Sequence, residues 1–369
     1  MLNQAAKNLY ILHLIECAGR GGAESVVVTL ACPRGTSACV ASLRTGWMCE
    51  RLAESGVRTI QLPYSFRSDA LLVLRIARLI EKTKPDVVHC HSFTMNAAGA
   101  LGAALAGVPS IATVHGAIYD LDTRRRRLAY NVAAKMHYKV VTVSNFLRDE
   151  LHTNAQIPLR KIEVIHNGVP AADTVRSDAA YARCQAGVGE SDVLVGCVGM
   201  LRPEKGHSDL LDAVALARET IPGMKLLIVG DGQCKEDLLR KIGERKLSGH
   251  VVFAHSGSSV VSMLSAMDIF ALPSHTEGLS IATIEAMSCG RPVVVTDCGG
   301  PTEIVSDGVT GLVVPPCDPQ AMAEALVRLA KDSALRTCLA ANGRARAREA
   351  FSLQRMLQSY ERLYEEAAR

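Results

Sequence analysis

Short apolar runs recur along the whole chain, and each stops at a glycine, a proline or a polar residue before helical spacing takes over. Residues 10–15, 38–43, 59–62, 85–91, 111–116 and 140–143 read as strands in the first half, and 193–198, 226–229, 251–254, 269–272 and 293–296 in the second. Helical patterns lie between them, as in 69–82, where Leu72, Ile76, Leu79 and Ile80 share one face. Strands this apolar, alternating with helices, form doubly wound parallel sheets that gather ligands at the strand ends. At 369 residues the chain is long for one such core and comfortable for two.

Composition removes several classes of function. Only 4% of the residues are aromatic, which argues against a stacking platform for single-stranded nucleic acid. Twelve cysteines are scattered with no CxxC pair, the usage of a reduced, cytoplasmic protein. The apolar start at 9–15 is too short for a secretory signal and runs into Glu16. The uncharged stretch 92–119 contains Gly99, Gly102, Gly107, Pro109 and His115, and reads as a small-residue helix and a strand, not a membrane span. Residues 1–175 hold 20 Lys/Arg against 13 Asp/Glu, while the remainder holds 21 against 24. That basic first half suits an anionic partner, or is ordinary surface variation. Arg124, Arg125, Arg126 and Arg127 open an apolar helical stripe, a pattern that fits an anionic membrane surface as well as a solvated face.

The richest segment is 274–292, set between the runs 269–272 and 293–295. Its carboxylates, Glu277 and Glu285, stand eight positions apart. On a helix that spacing is about 12 Å and about 80° of rotation, so both acids would lie on one side at opposite ends. Gly278 lets a ligand approach the backbone, and the amides after it are the donors of a helix N-terminus, where an anion is stabilised. Two carboxylates for two sets of hydroxyls, with a diphosphate between, is the layout of a nucleotide-sugar site. Spacing alone favours a surface helix with two solvated acids.

Other strand ends add candidates. The turn 19–24 places Gly21 and Gly22 before a helix, without the GxGxxG spacing or the later acidic residue of a nicotinamide site. His115 stands in a His-Gly turn at the end of the run 111–116. His89 and His91 alternate on one strand face, but no third ligand is suggested nearby, so no metal site is expected.

With these pieces in this order, the chain resembles the family-four retaining glycosyltransferases of the GT-B fold over nearly its whole length. The likeness rests on an E-x7-E pair at Glu277 and Glu285, a GG-x-E turn matched by Gly21 and Gly22, the turn histidine His115, a KG turn at Lys205, and an Asn-Gly-Val at 167–169. It implies an α/β, GT-B architecture of two Rossmann-like doubly wound parallel-sheet domains facing a central cleft. The acceptor-side domain would span 1–172, with a C-terminal helix at about 352–369 returning to it, and the donor domain 173–351, a polar linker lying at 173–178. It further implies that His115, Glu277 and Lys205 serve catalysis, while Gly21, Gly22, Arg202, Gly278, Leu279, Ser280 and Glu285 bind the donor. Two positions depart from the family pattern. Met200 replaces an arginine, leaving Arg202 two residues away, and Ala254-His255 replaces a Leu-Gly.

The expected activity is transfer of a hexosyl unit from a UDP-, GDP- or ADP-sugar to a cell-envelope or exopolysaccharide acceptor, lipid-linked in one version, without cofactor or metal. A nucleotide-sugar epimerase or hydrolase of the same fold, or a non-catalytic sugar-nucleotide-binding protein, is the alternative. The expected location is the cytoplasm or the inner face of the cytoplasmic membrane.

Overall fold

The computed structural model describes residues 9–32, 37–64, 69–116, 124–171, 178–185, 187–189, 191–254 and 260–369. Nearly all of the expected linker at 173–178, and His255, lie outside them. The chain divides into two compact units, Met1–His166 with Met356–Arg369, and Asn167–Arg355.

The first unit holds β1 (Tyr10–Ile15), β2 (Ser37–Ser42), β3 (Arg58–Gln61), β4 (Val87–His91), β5 (Ser110–Val114), β6 (Lys139–Thr142) and β7 (Ile162–Val164). All pair in parallel in the order β3-β2-β1-β4-β5-β6-β7. Side chains alternate across a strand. Leu12, Leu14, Val88 and Cys90 therefore share a core with Leu72, Ile76, Leu79 and Ile80 of the helix Asp69–Thr83, the stripe expected from its spacing. The alternate positions His13, His89 and His91 share a region with Tyr360 and Tyr364 of the helix Leu353–Ala367.

The second unit holds β8 (Val193–Val198), β9 (Met224–Val229), β10 (Val251–Ala254), β11 (Ile269–Leu272), β12 (Val293–Thr296) and β13 (Leu312–Val314), parallel in the order β10-β9-β8-β11-β12-β13. Its core joins Val195, Leu226, Ile228 and Ile269 to Leu211, Val214, Leu326 and Leu329 of flanking helices. Each such side chain removed from water contributes about 1.5–3 kcal/mol. In both sheets the strand order reverses once, between β1 and β4 and between β8 and β11. Loops leave such a reversal in opposite directions and open a crevice at the strands' C-terminal ends.

The stretch 92–119 resolves into the helix Phe93–Leu105 and β5, with 117–123 outside the described residues. Among the described residues no helix is long and apolar enough to cross a membrane. No disulfide joins any of the twelve cysteines, all of which are described.

Candidate functional site

In the second unit the loops after β8 and β11, neighbours at the reversal, are locked together. Gly206 has φ +65°, and a Cβ there would stand 1.9 Å from the Pro273 carbonyl oxygen, so glycine alone permits the approach. Beside it the His275 amide donates to the Glu204 carbonyl at 2.8 Å. The contact brings Lys205 Nζ within 2.5 Å of Glu277 Oε2, and the Ser274 hydroxyl donates to the same oxygen at 3.3 Å. The turn after β12 clamps the Glu277 backbone, whose amide donates to Cys298 and whose carbonyl accepts from Gly300. A Cβ on Gly300 would lie 2.0 Å from the Gly278 oxygen, so that clamp also needs glycine.

The helix expected to carry both acids is shorter than their spacing requires. It runs Ile281–Ser288, with the Ser280 hydroxyl capping it by accepting from the Thr283 amide at 3.2 Å. Glu277 sits in the loop, bridged to Gly299, and only Glu285 is helical. The geometry of two acids on one helix face is therefore replaced by a loop carboxylate and a helix carboxylate. Gly278, Leu279 and Ser280 are buried ahead of the helix. Among the described residues, the amides from Gly278 to Ala282 donate no hydrogen bond. Such a run of unpaired donors at a helix start favours an anion. Glu285 is half-buried, and desolvation pushes its carboxyl up to about 7. Arg202 is exposed, 3.9 Å from Glu204, and Met200 is half-buried.

In the first unit, Gly21 caps the helix Gly22–Ala31 without a side-chain hydrogen bond, and Gly22 is exposed. His115 follows β5, its Nδ1 out of solvent and unpartnered. Ser92, directly after β4, adopts φ +69° although it is not glycine, and its hydroxyl is likewise buried and unpartnered. Strain of this kind gathers at functional sites, and no sequence pattern announces it.

Among the described residues, two groupings have the spacing of a metal site, His13 with His89 and His91, and Asp209 with His275 and Cys317. The first corrects the expectation that no third ligand lies near His89 and His91, since β1 places His13 beside His89 in register. Both ring nitrogens of His89 are engaged, by Tyr364 Oη at 2.7 Å and Thr113 Oγ1 at 2.7 Å, so that trio offers no free third lone pair. In the second, His275 Nε2 lies 2.7 Å from Asp209 Oδ2.

Residues 8–173 match the family model described as Glycosyltransferase Family 4, and residues 182–346 the model described as Glycosyl transferases group 1. A D-inositol 3-phosphate glycosyltransferase of Actinosynnema mirum is 28% identical over 98% of this chain and 92% of its own. The UDP-Gal:alpha-D-GlcNAc-diphosphoundecaprenol alpha-1,3-galactosyltransferase of Escherichia coli is 28% identical over 76% of this chain and 77% of its own. The crystal structure of Anabaena Alr3699/HepE in complex with UDP-glucose superposes with a TM-score of 0.87 at 23% identity, covering 97% of this chain and all of that one.

Proposed function

We propose that this chain, a GT-B glycosyltransferase by its two matched domains, moves a hexosyl unit with retention from a nucleoside-diphosphate sugar to a lipid-linked or other glycan acceptor of the cell envelope. The observation that carries this reading is the Lys205–Glu277 contact beside the unpaired amides from Gly278 to Ala282. A cation and aligned amides suit a diphosphate, while the adjacent carboxylate suits sugar hydroxyls. The relatives' names support the substrate classes, one binding UDP-glucose and another acting on a diphosphoundecaprenol-linked sugar.

The hard step is departure of a nucleoside diphosphate from an oxocarbenium-like carbon. Lys205 and the amides neutralise the charge that grows on the leaving oxygens, the role a divalent ion takes where carboxylates bind one, so the reaction is metal-independent in this reading. Glu285 accepts from the ribose hydroxyls and Glu277 from those of the sugar, while His115, Gly21 and Gly22 are the residues of the first unit proposed to meet a ligand. The acceptor hydroxyl attacks from the face the diphosphate leaves, giving its proton to the donor phosphate.

The test incubates the protein with UDP-, GDP- and ADP-sugars, with and without an undecaprenyl-diphosphate-linked sugar, in EDTA. Acceptor-dependent release of nucleoside diphosphate, with the donor's anomeric configuration kept in the product, is expected. Isomerised or hydrolysed donor without acceptor, or binding without turnover, would sink the transferase reading. Activity abolished by EDTA and restored by magnesium would sink metal independence.

A further inference from the structure

The C-terminal ends of β8, β11 and β13 bring together three residues that lie far apart in the chain. Asp209 stands in the first turn of the helix His207–Arg218, His275 in the loop after β11 and Cys317 in the turn after β13. All three belong to the second unit. One ligand atom from each lies within 4.8 Å of the other two. Asp209 is half-buried while His275 and Cys317 are exposed, so ions in solvent reach the group.

Each member is held by its own surroundings. His275 Nε2 meets Asp209 Oδ2 at 2.7 Å, and a Cβ on Gly206 would stand 3.2 Å from the His275 ring, which packs on that glycine. Cys317 precedes Asp318, whose carboxylate accepts from the Ala321 amide at 3.0 Å and caps the helix Pro319–Lys331. The backbone of Cys317 has φ +57°, a left-handed conformation that glycine adopts without strain. The turn gains nothing from a side chain there, so a use for the thiol accounts for the strain.

A carboxylate, an imidazole and a thiol are ligands of a borderline-soft divalent ion such as zinc. Tetrahedral bonds to such an ion set ligand atoms about 3.3–3.6 Å apart. The Asp209–His275 pair opens by about half an ångström to reach that spacing, and the thiol closes in by no more than about 1.3 Å. Rotation of exposed side chains supplies both. The ion then stands between the His275 nitrogen and the Asp209 oxygen, the ring N–H moves to the other nitrogen, and the thiol gives its proton to solvent.

We propose that Asp209, His275 and Cys317 form a site for a zinc-like divalent ion, with the fourth position left to water. The ion clasps the start of the helix His207–Arg218 to the loops after β11 and β13 and so stabilises the second unit. The proposal does not depend on the transferase reading, and no step of the transfer runs through the ion.

The test titrates the full chain, stripped by chelator and kept reduced, with Co2+ as the spectroscopic substitute for zinc. One equivalent should bind, giving the intense visible bands of a tetrahedral ion and a thiolate-to-cobalt charge-transfer band in the near ultraviolet. Zn2+ should bleach both, and Mg2+, which prefers oxygen ligands, neither. Zn2+ should also raise Tm. Cys317→Gly suits the turn, so it removes the thiol without endangering the fold. It should abolish the charge-transfer band and weaken Co2+ binding by more than the about hundredfold cost of losing a residue that only orients a ligand. His275→Gln should weaken binding likewise. No cobalt bound at equimolar ion, a charge-transfer band that survives in Cys317→Gly, or binding unchanged in His275→Gln would each overturn the proposal.

Discussion

At the scale of single residues, the two acids of the motif sit in different environments, and Glu285 has the sharper consequence. Burial raises its carboxyl from 4.5 to about 7, so its ionisation opposes folding. That cost is absent below about 4.5, grows towards 7 and is complete above it, at most about 3 kcal/mol. Glu285→Gln should therefore raise Tm at pH 8 and leave it unchanged at pH 4; an equal gain at both would refute the assignment. Ribose hydroxyls donating to Glu285 favour its ionised form, so nucleotide binding near pH 6 should release a proton. Calorimetry in buffers of different ionisation enthalpy reads that release, and Glu285→Gln should abolish it. The positive side divides between Lys205 and Arg202. Lys205→Ala removes the cation paired with Glu277 and should lower kcat a hundredfold or more, the cost of losing one transition-state donor. Arg202 is exposed, and Arg202→Ala should lower kcat less than about threefold, as a surface change does. A hundredfold loss there would show that it takes over the charge absent at Met200. The residue types were legible in the sequence, but the Lys205–Glu277 contact was not. It joins positions 72 apart and depends on β8 and β11 being neighbours. His13 escaped notice for the same reason, because only the pairing of β1 with β4 sets it beside His89.

At the scale of elements, the central strands were legible as short, mostly apolar runs that end at glycine, proline or polar residues. The edge strands β7 and β13 were not, since three residues make no pattern that a loop cannot also make. The arginines do open a helix, Arg124–Met136, and part of its apolar stripe faces outward. Leu128, Val132 and Met136 are exposed at 66%, 50% and 39%, with Arg124 and Arg127 also exposed. Residues four apart share a helix face, so apolar anchors and cations lie within one short element, as an anionic membrane surface requires. Against such a surface each arginine would add about 1 kcal/mol of attraction, screened by salt. Changing Arg124, Arg125, Arg126 and Arg127 to Gln should cut sedimentation with anionic vesicles most at low salt. Leu128→Ser with Val132→Ser should cut it at high salt as well. Pelleting unchanged in both variants would return the helix to an ordinary solvated face.

At the scale of the whole molecule, chain order and spatial order part company. Residues 356–369 belong with the first unit although the whole second unit intervenes. The resemblance supplied that return of the chain; composition and spacing did not. What holds the segment is polar as well as apolar. Tyr364 Oη meets His89 Nδ1 at 2.7 Å, Tyr360 Oη meets Thr113 Oγ1 at 3.2 Å, and Arg362 pairs with Glu163 of β7. Both tyrosines are almost wholly buried, so each hydroxyl was taken from water and must be partnered in the fold. Tyr364→Phe leaves a ring nitrogen of His89 buried and unpartnered, and should cost about 1–3 kcal/mol. Tyr360→Phe should cost less, because Thr113 keeps its contact with His89. Deleting 356–369 strips both tyrosines from the histidine-bearing face of the first sheet at once. Hydrogen exchange should then lose protection in β1, β4 and β5, while β8, β9 and β11 keep theirs, since among the described residues the core cluster joining those strands includes none of the deleted ones. Equal loss of protection in both sheets would mean that the units do not unfold independently, and unchanged protection in the first would mean that the C-terminal segment is no part of its fold.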